Sequence, residues 1–123
     1  MKTTLEQLTN SLGAIKKLAG IDLGAPSLNY KFMSVISTAE AESKKHVELQ
    51  KTIVEKYRDM SKTDDIYIPF ENIDIFNKEM EEAGRIEVEL KWDVIDCSID
   101  ALVGFSANDM KALDGIFINI KGE

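Results

Sequence analysis

The stretch PSLNYKFMSVISTAEAESKKHVELQKTIVEKYRDM, residues 26–60, decides the architecture, because it has no glycine and its only proline is its first residue. Proline suits the first turn of a helix, where its missing amide hydrogen has no helical partner. The other residues are mostly good helix formers, so the sequence predicts one long helix over residues 27–60. Such a helix measures about 50 Å, whereas a compact chain of this size has a radius of gyration of about 14 Å. The length predicts that one end projects from the domain or pairs with a second copy.

The apolar stripe of this helix has a gap, since it stops at Ile36 and resumes at Val47, and the apolar residues between them are alanines. Three interpretations stay open: a close helix crossing over small residues, a stretch through solvent, or a break near Ser37 or Ser43. The stripe also supplies the candidate self-association interface. Its members are Met33, Ile36, Val47, Val54 and Tyr57.

A shorter amphipathic helix is predicted over residues 4–19, upstream of the long one. Thr3 and Glu6 have the spacing of a capping box at its start. Its leucines and isoleucine recur three or four residues apart, which places them on one helix face. They are Leu5, Leu8, Leu12, Ile15 and Leu18.

Downstream, the polar residues Ser61–Asp65 predict a loop, and residues 66–70 predict a short strand that Pro69 restricts to an edge or an end. Residues 71–83 predict a helix. Residues 85–95 predict a strand that pairs with the first one, because apolar and charged side chains alternate there. The apolar face of that strand consists of Ile86, Val88, Leu90, Trp92 and Val94, with Trp92 expected in the core.

The C-terminal residues 98–120 predict a short helix and a last strand, with Ser106 and Asp109 spaced as a helix cap. The predicted fold class is therefore α+β. One domain over residues 1–123 is mainly helical, with the long helix packed on a small sheet of two or three strands.

The formal net charge of −7 is unevenly distributed. Residues 1–60 hold nine Lys and Arg against seven Asp and Glu, and residues 61–123 hold six against fifteen. An acidic half is repelled by phosphate, so we expect no direct nucleic-acid binding and no membrane association. The candidate acidic surface consists of Glu81, Glu82, Glu87 and Glu89. The alternative is a solvated face without a partner.

The sequence carries no recognisable catalytic or metal-binding motif. His46 is the single histidine and follows Lys44 and Lys45, whose charges oppose the uptake of a proton. Cys97 is the single cysteine, so no internal disulfide forms. We therefore expect no enzyme activity, no metal and no cofactor.

Three segments also carry a resemblance. They are PSLNYK at 26–31, IEVEL at 86–90 and SANDMKAL at 106–113, together with the order of the elements. In this layout the chain resembles small uncharacterised accessory proteins of tailed bacteriophages and prophages. The resemblance implies a viral accessory or virion-associated protein, in the host cytoplasm or in the virion, and it supplies no catalytic residues.

Two functional hypotheses follow. In the first, the chain is a phage-encoded interaction module that self-associates through the long helix and binds a virion or host protein. In the second, it is an acidic inhibitor, of the anti-defence or nucleic-acid-mimic type, of a host enzyme that binds nucleic acid. Electrostatic complementarity would make the second kind of binding fast and sensitive to salt.

Overall fold

The structure, a computed structural model, describes residues 1–62 and 65–122. It confirms the predicted class, α+β and mainly helical with one long helix. The described strands form two separate sheets of two strands each. In chain order the elements are β1 Lys2–Thr4, α1 Leu5–Leu18, α2 Pro26–Tyr57, α3 Ile73–Gly84, β2 Glu87–Glu89, β3 Ile95–Ser98, α4 Ala107–Leu113 and β4 Ile118–Lys121, with single 3-10 turns at Phe70–Asn72 and Ile99–Ala101.

Both the N-cap and the first residue of helix α1 lie one residue later in the chain than predicted. Thr4 is the N-cap, and its hydroxyl accepts a hydrogen bond from the Gln7 amide at 3.2 Å. Thr3 lies opposite Val88 in a strand pair, which holds its backbone extended and moves the cap by one residue. The predicted apolar stripe is confirmed, because all its members are buried except the half-buried Leu12.

Helix α2 is continuous, as predicted, which rules out the interpretation of the gap as a break near Ser37 or Ser43. Its 32 residues give a length of about 48 Å. The gap in its apolar stripe is the place where α1 packs against it. Ala39 and Ser43 are buried there, and Thr9 of α1 reaches His46, the next buried residue of α2. The gap is thus a close helix crossing over small side chains.

The far half of α2 is accompanied by α3 and is not a bare rod. The Asn72 side chain donates a hydrogen bond to the Tyr57 carbonyl at 3.2 Å. Further along, Lys56 forms an ion pair with Glu79 at 2.9 Å. The last residue of α2, Tyr57, thus meets Asn72 just before α3, whereas Ile53 lies with Ala83 near the end of α3, so the two helices run antiparallel.

The prediction of one strand over residues 85–95 is wrong. This stretch supplies β2, which pairs antiparallel with β1, and the start of β3, which pairs parallel with β4. The β1–β2 ladder is short because the chain turns into α1 directly after Thr4. The expected inward face holds for Val88, Leu90 and Trp92, whereas Ile86 and Val94 are 46% and 38% exposed.

The prediction of a strand over residues 66–70 is also wrong. The segment makes one backbone bond to the end of α2, from the Asp59 amide to the Tyr67 carbonyl at 2.7 Å, and its last residue opens a 3-10 turn. Of the loop predicted at Ser61–Asp65, residues 63 and 64 lie outside the described residues. The helix predicted next, over residues 71–83, is confirmed as α3.

In the C-terminal region, the short helix predicted from residue 98 is a 3-10 turn, and the regular helix is α4. The cap predicted at its start is confirmed. Ser106 Oγ accepts from the Asp109 amide at 3.1 Å, and Asp109 Oδ2 accepts from the Ser106 amide at 3.0 Å. The predicted last strand is β4, which ends one residue beyond the predicted limit.

The core lies between α1, the first half of α2 and the C-terminal elements. Trp92, 3% exposed, donates its indole hydrogen to the Phe117 carbonyl at 2.8 Å. Its ring packs on Phe32 of α2, with 4.9 Å between the ring centroids. The prediction that Trp92 belongs to the core is confirmed.

Candidate protein-binding surfaces

The predicted self-association residues divide into two groups. At 100° per residue, Met33, Ile36, Val47 and Val54 lie within about 60° of one another on α2. We call this set the α2 flank. Met33 is 61% exposed and Val47 39%, while Ile36 and Val54 are half-buried. Tyr57 lies on the buried side of the helix instead. The structure therefore places four of the five residues on one side of α2, spread over roughly 30 Å of its length.

The predicted acidic surface spans two consecutive elements. Glu81 and Glu82 are exposed near the end of α3, and Glu87 and Glu89 are exposed on β2. Glu81 forms a surface ion pair with Arg85 at 3.7 Å. Glu89 is paired with the Met1 amino group at 3.4 Å. Exposed pairs of this kind contribute little to stability.

Exposed apolar side chains gather around the end of α2. We define the tip patch as Met60, Ile66, Tyr67, Phe70 and Ile73. Phe70 is 86% exposed, Met60 68% and Ile66 67%. Residues 60–86 contain seven of the thirteen large apolar side chains that are exposed in the described chain, so the exposure is concentrated and not scattered.

Sequence reasoning missed the tip patch because it assigned residues 66–70 to a paired strand, which would have buried alternate side chains. A signal was present nevertheless. The run Ile66–Phe70 combines aromatic and β-branched residues with Pro69, which cannot donate to a strand ladder. Without a neighbouring strand, these side chains remain at the surface.

A groove of about 500 Å³ lies between α2 and α3. Its floor is apolar and consists of Leu49, Ile53, Ala83 and Ile86. We call it the α2–α3 groove.

Carboxylates lie along the rim of this groove. Glu79 and Glu82 line its α3 side, and Lys56 lines its α2 side together with Thr52. The hydrogen bond from Lys56 lowers the pKa of Glu79 and raises the pKa of Lys56 itself. Both groups are therefore charged at neutral pH, and Glu82 adds a second negative charge on the same side.

His46 lies in an environment that the sequence did not predict. It is 3% exposed, whereas the neighbouring Lys44 and Lys45 are exposed to solvent. Its Nδ1 is 2.8 Å from Thr9 Oγ1, and its Nε2 has no hydrogen-bond partner among the described residues. A histidine base needs a group that orients it and a substrate within reach. Here the orienting group is a hydroxyl at a helix crossing, which fits a packing role.

Cys97 is half-buried in β3, and burial raises the pKa of its thiol. The thiol is the weakly nucleophilic form of cysteine. Across residues 1–62 and 65–122, no three His, Cys, Asp or Glu side chains are arranged to hold a metal ion.

Comparison with protein-family models, with curated proteins and with solved structures gives no match to this chain. Within the part of the chain that the structure describes, no helix is both long and apolar enough to cross a lipid bilayer.

Proposed function

We propose that the protein is a non-enzymatic interaction module that binds another protein through the tip patch. The observation that carries this proposal is Phe70, 86% exposed, beside Ile66 and Tyr67, 67% and 51% exposed. Burying one such side chain at an interface is worth about 1.5–3 kcal/mol. Single exposed apolar residues are ordinary, but clustered ones mark interaction surfaces.

The setting that we propose for this activity is a phage-infected bacterium. It rests on the resemblance of the layout to phage accessory proteins, which makes a virion component or a host protein the partner. On this proposal the protein acts in the host cytoplasm or on the virion.

The test compares two equally exposed apolar residues. Phe70 and Val103 are both 86% exposed, but Val103 lies outside the tip patch. Wild type, Phe70→Ser and Val103→Ser serve as baits in host lysate, after circular dichroism confirms that each is folded. The proposal expects a protein that is captured by wild type and Val103→Ser and lost with Phe70→Ser. Equal capture by all three baits contradicts it.

We also propose that two copies associate through the α2 flank. The support is the exposure of Met33 and Val47 on one side of a continuous helix. Sedimentation velocity over a wide concentration range tests this, with the double variant Met33→Ser/Val47→Ser as comparison. We expect a concentration-dependent dimer that the double variant loses. A monomer at every concentration of the wild type contradicts the proposal.

The second candidate function is an acidic inhibitor of a host enzyme that binds nucleic acid. It is favoured by the fifteen carboxylates against six cations in residues 61–123. In this case replacing Glu81, Glu82, Glu87 and Glu89 by Gln weakens binding to the captured enzyme, and DNA competes with the wild-type protein. Binding that is unchanged in the fourfold variant eliminates this candidate.

A further inference from the structure

The α2–α3 groove has the shape and the apolar floor that suit an amphipathic helix. Two antiparallel helices form its walls, and apolar side chains from both line it. A helix that docks in such a groove inserts side chains spaced three and four residues apart. The groove thus differs from the tip patch, which consists of exposed side chains near the end of α2.

Two carboxylates of α3 give the groove its polarity. Ile75, Glu79 and Glu82 follow one another at intervals of four and three residues on one face of α3, over about 10 Å of helix. Ile86 lies two residues beyond the end of the helix. Ile75 is 48% exposed and Ile86 46%.

The two sides of the groove differ in charge. Residues 65–89, on the α3 side, hold eight Asp and Glu against two Lys and Arg, whereas residues 44–58, on the α2 side, hold five Lys and Arg against two Glu, so the two segments together have three more acidic than basic residues. On the rim, Lys56 is paired with Glu79, whereas Glu82 forms no ion pair with the described residues and is the carboxylate that a cationic ligand can meet.

A second copy of this chain does not fit the groove. In a symmetric dimer each patch meets its own copy, so Glu82 would face a rim of the same net negative charge, while Glu79 is already paired with its own Lys56. Like charges in an interface oppose association. The α2 flank, on the other side of α2, avoids this repulsion.

We infer that the α2–α3 groove binds a basic amphipathic helix of the partner protein, with apolar side chains on Ile53, Ala83 and Ile86 and a Lys or Arg on Glu82. This inference rests on the proposed function and specifies the chemistry of the partner. It commits to a helix of about two turns in contact, since the face of α3 from Ile75 to Glu82 is about 10 Å long.

The experiment uses a fluorescein-labelled synthetic helix of Leu and Lys, with Leu at intervals of three and four residues, and measures fluorescence anisotropy on the full chain. Two further peptides serve as controls, one with the same composition in scrambled order and one with Glu in place of Lys. We expect saturable binding of the first peptide alone, weakened by added salt because exposed charges are screened.

Two charge reversals locate the binding site. Glu82→Lys reverses a rim carboxylate, and Asp93→Lys makes the same change at an exposed carboxylate outside the groove. We expect Glu82→Lys to weaken binding roughly tenfold and Asp93→Lys to change it less than about twofold. Ile86→Ser, which keeps the charge and removes an apolar contact, is expected to weaken binding as well.

The inference is overturned if wild type binds no peptide, if the scrambled peptide binds equally well, or if the two charge reversals have the same effect. These outcomes are separate from a failure of the proposed function. If the groove binds no peptide but Phe70→Ser still loses the captured protein, the interaction module stands and the groove does not bind a helix. If peptide binding depends on Glu82 but Phe70→Ser and Val103→Ser behave alike, the groove stands and the tip patch fails.

Discussion

Replacing Trp92 by Phe tests how the segment between β2 and β3 is fixed to the core. The indole hydrogen is bonded to the Phe117 carbonyl at 2.8 Å in a buried position. Phe cannot donate this bond, and a buried carbonyl without a donor costs about 1–3 kcal/mol. The smaller ring also buries on the order of 50 Å² less apolar surface, or about 1 kcal/mol. We therefore expect Trp92→Phe to lower the free energy of unfolding by about 2–4 kcal/mol.

The assay is urea unfolding followed by far-UV circular dichroism, which does not depend on the tryptophan that is removed. We expect a lower midpoint with an unchanged slope, since a change in midpoint alone reports stability. Val103→Ala is the matched control at an exposed apolar residue, with an expected effect within about 0.5 kcal/mol. Trp92 is the only tryptophan, so its fluorescence in the wild type gives an independent check of its burial.

The reasoning is refuted if Trp92→Phe and Val103→Ala unfold at the same urea concentration. It is also refuted if the wild-type emission is that of a solvated indole. Either result means that Trp92 does not lie between Phe32 and Phe117 as described.

Three further substitutions test other parts of the fold. Ala39→Leu overfills the crossing of α1 and α2 and is expected to cost about 1–3 kcal/mol in thermal unfolding, whereas Ala41→Leu, exposed on the same helix, changes little. Ser106→Ala removes the cap of α4 and is expected to cost about 1 kcal/mol in the same assay, while Ser106→Thr retains most of it. The hydrogen bond from Lys17 at 2.6 Å, with that from the Ser106 amide, lowers the pKa of Asp109 below its ordinary 3.8. The ionised carboxylate therefore stabilises the fold above that pH and loses this effect as the pH falls, and Lys17→Met should raise the Asp109 pKa in an NMR titration; an unchanged pKa contradicts the ion pair.

The helices were predictable because their information is local. The spacing of apolar residues in α1 and the absence of glycine and internal proline in α2 are visible within one segment. The crossing at Ala39 and Ser43 was one of three interpretations, and the sequence alone did not select among them. Selection required knowing that α1 lies against this part of α2.

The last strand was predicted, but β1 and the division of residues 85–95 between two sheets were not predictable, because a strand needs a partner. The partner of β2 is the tripeptide Lys2–Thr4, which lies far away near the start of the described chain. Three residues are too few to show a periodic pattern of apolar side chains. The alternation in residues 85–95 correctly indicated the burial of Val88, Leu90 and Trp92. It did not indicate that the chain changes sheets afterwards, which leaves Ile86 and Val94 exposed.

The candidate sites were predictable to a lesser extent. Four of the five predicted self-association residues share one side of α2, because helical spacing fixes their positions. The tip patch was missed because residues 66–70 were expected to pair with a second strand. In the structure they do not pair, and their side chains remain exposed. The α2–α3 groove depends on how two distant segments pack, and no single segment of the sequence contains that information.

The pairing of β1 with β2 has a consequence for biosynthesis. Thr3 and Val88 are roughly 85 residues apart. A ribosome that adds about 5–20 residues per second takes roughly 4–17 s to reach the second strand after making the first. We expect the α1–α2 hairpin to form on the ribosome during this delay, while β1 is still unpaired. The nascent chain is therefore most exposed to proteases and chaperones before translation passes Glu89.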